Sequence, residues 1–155
     1  MIKESALISL NSGYVSSLGA PTLTFKGIPI RDILGDMYNK YDKFKLVLNS
    51  HSGIYNSGTA TNQQYFIRVS GFDFINTTEY IINNNYPRSA IYMLPIITSS
   101  QINLNNLPSN YGQVFNKPTN SSIDLTIVFL DRNLTVPSFN IGTNMFVFSI
   151  YGVEN

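Results

Sequence analysis

IDLTIVFLD (123–131) and NMFVFSIYGVE (144–154) decide the fold of this chain. Both are rich in β-branched and aromatic residues and alternate with period two, the pattern of a strand on a packed sheet. In the second stretch Phe146, Phe148 and Ile150 fall on one face, and Met145, Val147 and Tyr151 on the other. A sandwich standing alone leaves one face of each sheet wet. A strand apolar on both sides therefore predicts that one of these faces is buried by a neighbouring subunit.

Working outward, the same period recurs upstream. SALISL (5–10) reads as a first strand, and TLTFKGI (22–28) as a second, with Leu23 and Phe25 opposite Thr22, Thr24 and Lys26. KFKLVLNS (43–50) places Phe44, Leu46 and Leu48 on one face. YFIRVSGFDF (65–74) is a strand in which Gly71 marks a bulge or a close backbone approach. AIYMLPIIT (90–98) contains Pro95, which cannot donate to a ladder and so predicts an edge. A short strand near GQVF (112–115) is the most that residues 99–122 offer, and residues 51–64 read as a long polar loop. The period changes once. After Pro29, residues Ile30, Ile33, Leu34, Met37, Tyr38 and Tyr41 recur at steps of three and four, predicting one short helix around 30–41 that closes an end of the β-domain. Gly35 lies in its interior, so packing must support it. No repeat or composition break divides the chain, so residues 1–155 are expected to form one domain. Seven or eight strands with long, irregular connections predict an all-β, two-sheet sandwich of jelly-roll (Greek key) type.

Composition narrows function. The chain has one histidine, no cysteine, no tryptophan and only 12% charged residues. Acid–base, nucleophilic and metal chemistry draw mainly on His, Cys, Asp, Glu and Lys, and the chain is nearly empty of the first two and thin in the others. A net charge of +1 creates no field for nucleic acid or anionic lipid. MIKESALISL (1–10) has too short an apolar run for a signal peptide, and no stretch is long enough to span a bilayer, so a soluble chain not exported by the usual route is expected. Neutral polar residues, including 19 asparagines against six lysines, carry the surface. Low charge is also what the core of an interface shows.

Candidate reactive groups fail on pattern. His51 lies between Ser50 and Ser52 with no acid nearby to orient it, and reads as a solvent-exposed loop histidine. Asp32 and Asp36 share the polar face of the predicted helix. A glycosidase would need two carboxylates across a cleft, and Asp73 with Asp131 is a pairing that spacing leaves open. No calcium loop or phosphate-cradling glycine loop is present. The sequons at Asn76, Asn120 and Asn133 are as many as this composition produces by chance. Catalytic, cofactor and metal residues are therefore all assigned as none. Tyr14, Tyr55, Tyr86 and Tyr111, in polar surroundings, suit a protein interface or sugar stacking.

The stretches ILGDMYNKYDKFKLVLNS (33–50), FIRVSGFDF (66–74) and MFVFSIYGVE (145–154) are similar to the single jelly-roll minor capsid and penton proteins of large double-stranded DNA viruses and virophages. The resemblance implies a non-enzymatic viral structural protein, an oligomer that contacts other capsid proteins in an icosahedral shell. It implies residence in the virion after synthesis in the host cytoplasm, with no cofactor, nucleic-acid contact or membrane span. The alternative is a carbohydrate- or receptor-binding β-sandwich, a lectin-like or fibre-head domain taking a glycan partner.

Overall fold

The computed structural model describes residues 4–12, 22–55, 65–75, 89–94, 101–104, 112–131, 133, 135–136 and 141–154. These form nine strands and two short helices: β1 (Ser5–Asn11), β2 (Thr22–Ile28), α1 (Ile30–Leu34), α2 (Met37–Lys40), β3 (Lys43–Tyr55), β4 (Phe66–Ser70), β5 (Ser89–Met93), β6 (Gln101–Leu104), β7 (Gln113–Asn116), β8 (Ile123–Leu130) and β9 (Ile141–Val153).

One sheet runs β1-β9-β3, with β6 and β7 pairing different halves of β3; the other runs β2-β8-β4-β5. Every pairing is antiparallel. The chain changes sheet at β1–β2, β2–β3, β3–β4, β5–β6, β7–β8 and β8–β9. Counting β6 and β7 as one interrupted lane, this is the eight-lane double Greek key of a jelly roll, as the sequence predicts.

Register follows the hydrophobic pattern. Ile8 and Leu10 of β1 sit opposite Phe148 and Phe146 of β9, while Leu48 and Leu46 of β3 meet Phe148 and Ile150. All of these are buried, and they face Leu23 and Phe25 of β2, Leu125, Ile127 and Phe129 of β8, and Ile67 and Val69 of β4. So Phe146, Phe148 and Ile150 form the inner face of β9. Tyr92 of β5 crosses the core and donates its hydroxyl to the carbonyl of Leu46 at 2.8 Å, joining the two sheets. Its burial pushes the phenol far above the usual tyrosine range. Among the described residues β5 pairs only with β4, so it is an edge, as expected; Pro95 itself lies outside them.

The predicted helix is two helices. Gly35 adopts φ 52°, a left-handed value that ends α1 after five residues, and α2 begins two residues later. The apolar stripe survives the break. Ile30, Leu34 and Met37 are buried, and Ile33, Tyr38 and Tyr41 pack against the core, closing one end of the sandwich. Gly152 admits this closure, because a Cβ there would lie 2.3 Å from the Tyr41 ring.

Two further departures involve strands. The stretch from His51 to Tyr55, read as loop, continues β3, and Gln101–Leu104 pairs with it as β6. His51–Tyr55 has little period-two pattern to read, and the alternation in Gln101–Leu104 is only four residues long, so pairing sets the extended conformation of both.

Candidate functional site

Two bulges decide which side chains point inward. In β2 the register slips between Phe25 and Ile28, with Gly27 at φ 66° donating its N–H to the Asp124 carboxylate at 2.8 Å. The slip turns Ile28 into the core. In β3 Leu48 faces Phe148 but Ser50 faces Val147, so Asn49 is the extra residue. Without it His51 would share the outer face with Val47. With it, His51 sits opposite Phe146 on the inner face.

His51 is therefore buried, only 1% exposed, and the expectation of a solvent-exposed loop residue is corrected. Its ring lies parallel to Phe146 at 4.6 Å and tilted to Phe129 at 5.9 Å. Nε2–H donates to Asn144 Oδ1 at 2.8 Å, and the Asn144 backbone N–H donates to Ser12 Oγ at 2.7 Å. Ser12 and Asn144 are fully buried. Burial pushes the imidazole down to about 4, against the opposing pull of the Asn144 hydrogen bond. A Ser–Asn–His chain without a carboxylate lacks the orienting charge of a hydrolytic triad. It is a structural polar cluster tying the ends of β1, β3 and β9.

Gly53, opposite Asn144, leaves room for this cluster; a Cβ there would come within 1.9 Å of Asn144 Oδ1. Gly53→Ala is expected to displace the Asn144 side chain, break its bond to His51 and cost about 1–3 kcal/mol. Urea denaturation reads the loss, and an unchanged midpoint would contradict it.

The carboxylates do not converge. Asp73 follows β4 and Asp131 follows β8, and because these strands are antiparallel the two acids lie at opposite ends of the pair. Asp73 accepts from Asn116 Nδ2 at 2.6 Å. Asp131 caps a turn, accepting from the N–H groups of Asn133 and Thr135 at 2.8 and 3.0 Å and from the Thr135 hydroxyl at 2.7 Å. Asp32 and Asp36 are exposed, as expected. Glu4 is paired with Lys40 at 2.8 Å, which holds its carboxyl below the ordinary value. Among the described residues no three His, Asp or Glu side chains are grouped as metal ligands would be, and no helix is long and apolar enough to cross a membrane.

A depression of about 220 Å³ opens beside the helices, with Asp73, Asn116, Lys117, Thr119 and Asn120 among its walls. Phe72 lies beneath it but is buried and offers little ring face. Asn120 and Asn133 are exposed; Asn76, Tyr14, Tyr86 and Tyr111 lie outside the described residues, as does the side chain of Tyr55.

Composition of the surface is uneven. The helix end of the sandwich gathers the starts of β1, β3 and β8 with the ends of β2, β4, β7 and β9. The described residues hold fifteen charged side chains, and all but Arg68 and Asp131 fall in this half. Of the segments joining strands whose described ends lie at the other end, 13–21, 56–64 and 95–100 contain no charged residue in sequence, and 131–140 contains one acid and one base, Asp131 and Arg132. The outer face of the β1-β9-β3 sheet adds exposed apolar side chains, with Leu7 at 64% and Met145 at 39% exposure. Spacing within each strand predicts that β9 is apolar on both faces. That charge is polarised along the sandwich depends on which strand ends lie together, and only the topology supplies it.

No family model and no curated protein matches the chain. Among solved structures it is similar to a chain from the virus-like particle of the extra small virus of the giant freshwater prawn Macrobrachium rosenbergii. The identity is 7% and the TM-score 0.28, over 100% of this chain and 82% of that one. It is also similar to a chain of desmodium yellow mottle tymovirus, at 10% identity and TM-score 0.28, over 100% and 86%. The jelly-roll assignment rests on the strand order itself.

Proposed function

We propose that this chain is a non-enzymatic structural subunit of a viral shell, a minor capsid or penton component that assembles with its own copies and with other capsid proteins. The observation that carries the reading is the polarised charge. Around a rotation axis each residue meets its own copies, so any net charge close to the axis repels itself. An end of little net charge suits that position, and a charged end suits solvent. The exposed Leu7 and Met145 on the outer sheet face give the same subunit an apolar surface for lateral contact.

The test places like charges on the neutral end. Val136 is 55% exposed there and follows β8. Val136→Glu is expected to shift native mass spectra from closed oligomers to monomers while circular dichroism stays unchanged. Thr119→Glu, an exposed change at the charged end, is expected to leave assembly intact. A wild-type chain that stays monomeric at all concentrations counts against the shell. The glycan-binding alternative has one feature in its favour, the depression walled by Asp73, Asn116 and Asn120. A glycan screen in which Asn120→Ala abolishes binding by a monomeric wild type would select that reading instead.

A further inference from the structure

We propose that His51 is an acid-operated latch: protonation of its ring frees the part of β3 beyond the Asn49 bulge, together with β6, from β9, while the rest of the sandwich stays closed. This device stands independently of the shell role.

His51 is the only histidine in the chain. It is held in place as a neutral ring. With Nε2–H donated to Asn144 Oδ1, the other ring nitrogen, Nδ1, is buried and has no hydrogen-bond partner. Protonation would put an N–H at Nδ1 with nothing to accept it. It would also put a positive charge in a stack against Phe146 and Phe129. An unpaired buried donor and an unpaired buried charge both oppose that state.

Among the described residues no counter-ion relieves it. The groups presented to the ring are Asn144 and Phe146 from β9, Phe129 from β8, and the Asn144-bound Ser12 after β1; Leu104 is its backbone partner on β6. All are neutral. Asp131, beyond the end of β8, is engaged by its own turn. The closed ring therefore titrates at about 4, against 6.5 for an exposed histidine. Because the closed-state value is the lower one, closure is fully favoured above pH 6.5 and weakens as pH falls from 6.5 towards 4. At pH 4 the ratio of open to closed rises roughly a hundredfold over its value at pH 7.

Opening stays local for three reasons. Residues Lys43–Leu48 precede the bulge and are anchored by Phe44, Leu46 and Leu48 in the core and by pairing with β7. Among the described residues β6 pairs only with β3, at His51–Ile54, so it leaves with that segment. The bulge at Asn49 is the point where the ladder is already interrupted.

Amide hydrogen exchange of the intact chain at pH 7 and pH 4, corrected for intrinsic exchange, tests the latch. Residues 51–54 and 102–104 are expected to lose protection about a hundredfold, while 44–48 and 125–129 keep theirs. His51→Gln keeps a donor for Asn144 but cannot titrate, and should abolish the pH dependence. Asn144→Asp supplies a counter-ion and should raise the histidine titration seen by NMR and move opening to lower pH than in wild type. Uniform loss of protection across both sheets overturns the proposal, as does wild-type protection that ignores pH. If His51→Gln fails to fold, the single imidazole resonance of wild type decides: a midpoint near 6.5 with protection retained overturns the latch.

Discussion

Phe148→Asp is expected to yield no folded protein. Phe148 lies in β9 with Ile8 of β1 on one side and Leu48 of β3 on the other, so it occupies an interior lane of its sheet. It is 1% exposed, with Tyr92 edge-on at 5.9 Å and Phe146 at 6.4 Å. Removing the ring alone costs about 3–5 kcal/mol. A carboxylate at the same point adds several more, because it is buried without a partner. Domains of this size are stable by roughly 5–15 kcal/mol. The sum consumes most or all of that margin. Met145→Asp puts the same charge on the opposite face of the same strand, where the residue is exposed, and is expected to leave the fold intact. Soluble yield and circular dichroism of the pair make the comparison. A cooperatively folded Phe148→Asp protein would overturn the assignment of the inner face.

Gly71→Ala has the second largest expected effect. Gly71 adopts φ 126°, a conformation costly for any residue with a side chain. A Cβ there would also lie 2.1 Å from the backbone oxygen of Asp124 and 2.9 Å from Leu125 Cδ2. Backbone cannot yield as a long side chain can, and Asp124 is already fixed by the Gly27 N–H on its carboxylate. Strain and clash together are expected to cost about 3–5 kcal/mol, lowering Tm by roughly 10 °C or more for a chain of this length. Gly27→Asn is the contrast. Gly27 also has positive φ, at 66°, but a Cβ there meets nothing within 4 Å, and asparagine tolerates the left-handed region. It is expected to change stability by less than about 1 kcal/mol. Thermal melts of the two variants separate backbone strain from steric exclusion; equal losses would show that the close approach to Asp124 is unimportant.

Much of the fold was legible because one face of each sheet is buried. Burial forces alternation, and alternation is written in residues such as Phe44, Leu46 and Leu48, or Leu125, Ile127 and Phe129. The apolar stripe of residues 30–41 was legible for the same reason, although Gly35 divides its helix. What period two cannot carry is a change of phase. Asn49 inserts one residue into β3, and every side chain beyond it changes face, so a histidine that alternation places outside is buried.

By itself, then, the sequence determined two apolar layers of antiparallel strands and a surface poor in charge, since those follow from local periodicity and composition. Tertiary structure alone decided the burial of His51 against Asn144 and Phe146, the separation of Asp73 from Asp131, and the gathering of charge at one end. Each depends on pairing between segments far apart in the chain. Such pairing is settled by packing across the whole sandwich, and leaves no mark on the residues nearby.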